Sequence, residues 1–164
     1  WTGSRIMSPG ADRIRVGVAE GKVGDGTVPM VTSGLGSCVG IALYDKSGVG
    51  ALLHAMLPEA PPEMENPEKY VDAGLEAMIT EMERRGATRD SIKAKLTGGS
   101  SMLDLGEGES VGDKNVRAAK QVLNENDIDL VAEDTGGGSG RSISFDPGTG
   151  ILTIKQVDAP GRDL

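Results

Sequence analysis

Apolar and polar residues alternate through Ile14, Arg15, Val16, Gly17 and Val18, the period of a strand with one buried face. Gly21 to Gly26 reads as a turn, Val28 to Thr32 as a second strand, and Ser33-Gly34-Leu35-Gly36-Ser37 as a tight loop. Cys38 to Tyr44 follows as a strand, with Val39, Ile41 and Leu43 sharing a face. Asp45-Lys46-Ser47-Gly48 has the Asp-first, Gly-last pattern of a type I turn. Val49 to Leu57 then returns as an antiparallel strand, which Pro58 stops.

The period changes after a loop opened by Ala60-Pro61-Pro62. Asn66 is placed to cap a helix, Pro67 suits its first turn and Glu68 favours its dipole. Tyr70, Val71, Leu75, Met78, Ile79 and Met82 recur at helical spacing, and Gly86 ends the run just after Arg84 and Arg85. Ile92, Ala94 and Leu96 alternate with Lys93 and Lys95 as a strand, followed by Gly98-Gly99-Ser100-Ser101. A second helix is expected from about Asp113 to Asn124, with Val116, Ala119, Val122 and Leu123 facing inward. Ile128 to Asp134 reads as a strand and Gly136 to Gly140 as a glycine loop. Ile143 and Phe145 mark a strand, 146–150 a turn, and Ile151 to Val157 a last strand. Seven or eight strands, mostly in hairpins, with two helices predict an α+β domain whose helices pack on a mixed, largely antiparallel sheet.

The chain of 164 residues suits a single core, expected over residues 13–157. Residues 1–12 read as a disordered N-terminal segment or the remnant of an added tag, with Met7 a candidate native start. Residues 158–164 read as a loose polar tail. Glycine, at 25 residues, is about twice as common as usual and signals tight turns and close backbone approach. The aromatic residues are Trp1, Tyr44, Tyr70 and Phe145, so the core must rest on aliphatic side chains and methionine. A net charge of −8 with no stripe of Lys and Arg argues against nucleic acid as a partner. No apolar run approaches the roughly 20 residues that span a bilayer, so no membrane insertion is expected. With no secretory h-region and one cysteine, the expected location is cytoplasmic.

That cysteine, Cys38, and the one histidine, His54, fall on the two arms of the predicted hairpin. If the loop around Asp45–Gly48 is odd in length, the two side chains share a face as opposite or diagonal neighbours; an even loop separates them. A thiol near neutral pH becomes a useful nucleophile when a histidine takes its proton and backbone N–H groups favour the anion. The loop Gly34-Leu35-Gly36-Ser37 immediately before Cys38 can supply such groups, with Gly36 and Ser37 nearest the reacting centre. A third group should orient the imidazole, and Thr32 and Ser33 are the candidates, with Asp45 at the far turn less suited. On pattern alone, Cys38 also reads as a small buried hydrophobe and His54 as a satisfied core residue. One Cys and one His without a CxxC or HxxxH do not make a metal site, and no cofactor is expected. Gly34-Leu35-Gly36 is not a dinucleotide fingerprint, because its third glycine falls at position 40 and a strand follows. Gly136 to Gly140 lacks the Lys-Ser or Lys-Thr of a P-loop.

The segments Thr32-Ser33-Gly34-Leu35-Gly36-Ser37-Cys38-Val39, Leu43-Tyr44-Asp45 and His54-Ala55-Met56-Leu57-Pro58 resemble the chemoreceptor glutamine deamidase family CheD. The likeness continues through Lys95-Leu96-Thr97-Gly98-Gly99, Gly112, Asn115, Gly136-Gly137, Gly140-Arg141, Phe145-Asp146-Pro147 and Thr149-Gly150, and so covers about Ile14 to Val157. Gly40 and Ser100 stand where alanine is usual. The resemblance implies an α/β sandwich and a cysteine-dependent amidohydrolase, a protein-glutamine glutaminase. Its catalytic roles would fall on Cys38, His54 and Thr32. It implies chemoreceptor cytoplasmic helices as substrate, glutamate methyl esters as a possible second substrate, and the chemotaxis phosphatase CheC as a partner. A non-catalytic role as binder and stimulator of CheC is the alternative that the resemblance carries.

Overall fold

A computed structural model of the chain describes residues 13–101, 109–157 and 159–164. The segment 1–12, expected to be a disordered stretch or tag remnant, lies outside the described residues. In chain order the strands are β1 (Ile14–Arg15), β2 (Glu20–Gly24), β3 (Met30–Leu35), β4 (Val39–Tyr44) and β5 (Gly50–Ala55). Helix α1 (Val71–Arg84), β6 (Lys93–Gly98), α2 (Val111–Glu125), β7 (Asp129–Thr135), β8 (Arg141–Asp146), β9 (Ile151–Gln156) and β10 (Ala159–Asp163) complete it.

The expected class holds, with two helices and mixed sheets, but the strands divide into two sheets rather than one. A central sheet has the order β2-β5-β4-β6-β7, and an outer sheet the order β1-β3-β8-β9-β10. All pairings are antiparallel except β1 with β3 and β6 with β7. Val39, Ile41, Leu43, Leu53 and Ala55 face the helices and pack with Leu75, Ile79, Met82, Ala119 and Leu123. Ala42 and Leu52 face the other way and pack with Met30, Phe145, Leu152 and Ile154 of the outer sheet. Strands β4 and β5 are therefore covered on both faces. Apart from Tyr44 and His54 their sequences are small and apolar, as strands buried on two sides are.

Three expectations are corrected. Gly21 to Gly26 is expected to be a turn, but Gly21 to Gly24 belong to β2. The glycines serve close packing: a Cβ on Gly21 would sit 2.8 Å from Met78 Sδ and 3.0 Å from Leu53 Cδ1. Asn66 does not cap α1. Pro67–Lys69 form a short 3-10 turn, Tyr70 is extended, and the Val71 N–H donates to the Leu57 carbonyl at 2.8 Å. The Asn66 amide donates instead to the Ala19 carbonyl at 2.9 Å. The tail expected to be loose forms β10 on the edge of β9, and Leu164 exchanges backbone hydrogen bonds with Leu152 at 2.8 and 3.2 Å. Helix α2 begins two residues before its expected start, with Ser110 as N-cap accepting from the Asp113 N–H at 3.1 Å.

Candidate active site

The β4–β5 hairpin pairs Tyr44 with Gly50, so residues 45–49 form its loop. That is an odd length. The Gly48 N–H donates to the Asp45 carbonyl at 2.9 Å, closing the expected turn. The register sets Gly40 opposite His54. Cys38, two residues before Gly40, is thus a diagonal neighbour of His54 on the same side of the hairpin. That side faces the outer sheet, because His54 shares parity with Leu52 and Cys38 packs against the inter-sheet core. Gly40 lies between them, and a Cβ there would meet both Ile143 Cδ1 and Leu35 Cδ1 at 3.0 Å. A glycine at position 40 suits this close approach of the two sheets.

Thr32 comes from the outer sheet. It shares the inward face of β3 with Met30, and its Oγ1 lies 2.8 Å from His54 Nδ1. Both residues are buried. Ser33, the other candidate for this contact, is exposed. Asp45 accepts from the backbone N–H groups of Ser47 and Thr88 at the far turn. The remaining ring nitrogen, His54 Nε2, is buried without a hydrogen-bond partner among the described residues. Burial pushes the His54 imidazole below its usual pKa, and burial pushes the half-buried Cys38 thiol up, partly offset by its own backbone N–H. Both shifts favour the uncharged forms, thiol and neutral imidazole.

The loop before Cys38 is tied down on one side. The Gly36 carbonyl accepts from the Ser100 N–H at 2.8 Å and the Cys38 carbonyl from the Gly99 N–H at 2.9 Å. The Ser37 carbonyl accepts from Asn115 Nδ2 at 2.9 Å. The Gly36 N–H turns back to the Gly34 carbonyl at 3.1 Å. Gly98 and Gly99 have φ of 96° and 66°, and a Cβ on Gly98 would sit 2.4 Å from the Cys38 carbonyl. Only glycine allows this turn to support the loop so closely. Beneath it, Arg141 Nη1 donates to Ser100 Oγ at 3.0 Å, and Nη2 to Asp134 Oδ1 and the Gly136 carbonyl, both at 3.1 Å. The Asp134 carboxyl is held below its usual range by the Arg162 guanidinium first and by Arg141 as well.

The sequence reading assigned no site role to Asn115, Ser100 or Arg141. Asn115 carried a signal. It sits at helical spacing from Gly112, Ala119 and Val122 on the buried face of α2, where an apolar residue is expected. Among the described residues, no three His, Cys, Asp or Glu side chains gather as a metal site. No described helix is long and apolar enough to cross a membrane. A groove of about 590 Å³, lined by Arg15, Lys22, Ser144 and Lys155 among others, runs over the open face of the outer sheet; Cys38 and His54 do not line it.

Comparison with known proteins gives the site its context. Residues 56–156 match the family model described as CheD chemotactic sensory transduction, a match that starts just past His54. Whole-length relatives extend over the remainder. A protein of Haloarcula marismortui is 40% identical over 170 residues, covering 100% of this chain and 98% of its own. One of Pyrococcus horikoshii is 46% identical over 149 residues, covering 88% and 92%. One of Clostridium tetani is 42% identical over 156 residues, covering 92% and 94%. Each bears the name "Probable chemoreceptor glutamine deamidase CheD". With a family model over most of the chain and relatives at this identity over nearly all of it, the chain belongs to the CheD family.

Proposed function

We propose that this protein is a chemoreceptor glutamine deamidase that uses Cys38 as nucleophile, His54 as acid and base, and Thr32 to hold the imidazole. The observation that carries the reading is the contact of Thr32 Oγ1 with His54 Nδ1, with Cys38 diagonal to His54, in a chain of this family. In the active tautomer Nδ1–H donates to Thr32 Oγ1 and Nε2 is left as the base. Nε2 takes the Cys38 proton as the sulfur attacks the carboxamide carbon of a glutamine, since burial favours the neutral thiol. The N–H groups at Ser37 and Cys38 receive the oxyanion. The Gly36 N–H, already engaged with Gly34, is the weaker donor, so Gly36 serves the turn more than the anion.

The C–N bond then breaks and His54 protonates the leaving ammonia. A water deprotonated by His54 attacks the thioester, releasing glutamate and the thiol. The net reaction is glutamine side chain plus water to glutamate plus ammonia. A glutamate methyl ester would follow the same course with methanol leaving. The substrate is the cytoplasmic helical region of a chemoreceptor, and the action is cytoplasmic. Association with the phosphatase CheC, which the family resemblance implies, is a second role of the same protein.

The test is intact-mass spectrometry of a chemoreceptor cytoplasmic fragment incubated with wild type or Cys38→Ala. Wild type should replace NH2 by OH at glutamine with release of ammonia, and the variant should do neither. A folded wild type that leaves several receptors unchanged, while Cys38→Ala still stimulates CheC, would move the function to partner binding.

A further inference from the structure

Asn115 is fully buried on α2, yet its side chain reaches two separate strand ends. Nδ2 donates to the Ser37 carbonyl at 2.9 Å and to the Met56 carbonyl at 3.0 Å. Ser37 precedes Cys38, and Met56 lies two residues beyond His54. Both partners are carbonyl oxygens, so the donor end of the amide must face them, and Oδ1 is left buried without a partner among the described residues. A buried polar group with one unsatisfied end costs stability that a leucine at this inward position would not. We propose that Asn115 is a positioning residue: by holding the Ser37 and Met56 carbonyls on one amide, it fixes the span between nucleophile and base and turns the Cys38 N–H toward the reacting side.

The second half follows from peptide geometry. The bond joining Ser37 and Cys38 is trans, so its C=O and N–H point in opposite directions. Pinning the carbonyl against α2 aims the N–H away from the helix. The Ser100 N–H does the same for the preceding peptide by holding the Gly36 carbonyl, which aims the Ser37 N–H. Those two N–H groups are the oxyanion donors assigned above. The Cys38 N–H also favours its own thiolate, so its direction can be read without any substrate. Loss of Asn115 frees the Ser37–Cys38 peptide to rotate and lets β5 drift from the loop. An aspartate would be no substitute, because it sets a carboxylate against two carbonyls.

The role in turnover rests on the deamidase reading; the effect on the thiol does not. The experiment compares Asn115→Ala with wild type and with Val122→Ala, which removes buried methyl groups from the same helix without touching either carbonyl. Cys38 is the one cysteine of the chain, so its alkylation by iodoacetamide is read by intact mass as a function of pH. In Asn115→Ala the midpoint of that profile should rise by roughly one pH unit. On a receptor fragment kcat should fall on the order of 10²-fold with KM nearly unchanged. Val122→Ala should lower Tm and move neither. If Asn115→Ala does not fold, Asn115→Ser, which can donate to one carbonyl at a time, should show the same shifts at smaller size. A wild-type midpoint and kcat in whichever variant folds, or equal shifts in Val122→Ala, would overturn the assignment. If wild type has no deamidase activity, the alkylation profile alone still decides.

Discussion

The two sheets share a core but live in different surroundings. The central sheet is covered on both faces, by helices on one side and by the outer sheet on the other. Among the described residues the outer sheet is covered on one face only, and β8 and β9 alternate buried and more exposed positions accordingly. The doubly covered sheet contributes His54 and the strand that Cys38 leads into, whereas the singly covered one contributes Thr32. The site therefore belongs to the seam between sheets and to neither sheet alone. Stability can be lost on either side of the central sheet, but site geometry should be lost through the seam and through the Asn115 contacts from α2, not through apolar packing under the helices.

The largest expected effect tests that division. Phe145 is fully buried at the seam and Ile79 fully buried on the inward face of α1. Phe145→Ala should cost about 3–5 kcal/mol and Ile79→Ala about 2–5 kcal/mol in chemical denaturation. Only Phe145→Ala should also slow turnover of the folded fraction, because it loosens the sheet that holds Thr32 against His54. Equal loss of turnover per folded molecule in both would break the comparison. A smaller and sharper change is Thr32→Val, which keeps the packing and removes the contact between the sheets. It leaves His54 Nδ1 buried and unpaired, a stability cost of about 1–3 kcal/mol. Turnover should fall on the order of 10²-fold as the ring loses its orientation. Unaltered kinetics in this variant would remove Thr32 from the mechanism.

The smallest effect is in the pH dependence of stability. His54 has a lowered pKa in the folded protein against 6.5 for the free side chain. The unfolded chain thus binds its proton more readily, and stability should decline as pH falls below about 6.5, levelling once the folded ring also titrates. Cys38 is raised above 9.0, so the unfolded chain loses its proton first and stability should decline as pH rises past about 9. Denaturation curves of His54→Gln and Cys38→Ala should each lack one of these two arms. Identical acid limbs in wild type and His54→Gln would contradict the neutral buried ring.

The hairpin was legible because Asp45 and Gly48 mark its turn, but its parity was not: odd and even loops both fit that pattern, and only the pairing of Tyr44 with Gly50 selects the odd one that aligns Cys38 with His54. The second sheet was less so. Strands β4 and β5 advertise two covered faces in their nearly continuous apolar run, but nothing local says whether a helix or a sheet supplies each cover. Gly21 and Gly24 misled for a related reason: the same residue serves a turn and a close approach, and only the position of Met78 and Ile14 distinguishes the two uses. β10 was hidden because Pro160 and Gly161 are poor strand formers, and an edge strand with a bulge tolerates both. Asn115 joins segments 78 and 59 positions away, a distance at which periodicity carries no information beyond the oddity of a polar residue on an apolar face.

The half-burial of Cys38, which favours its uncharged form, has a consequence for the working life of the protein. Oxidants such as peroxide react with thiolates far faster than with thiols, so a sulfur that ionises only as substrate is attacked is sheltered between turnovers. The shelter matters because this chain holds no second thiol to capture a sulfenic acid as a disulfide. Each oxidation of Cys38 would then depend on an external reductant for repair, and burial that favours the thiol lowers the demand for it.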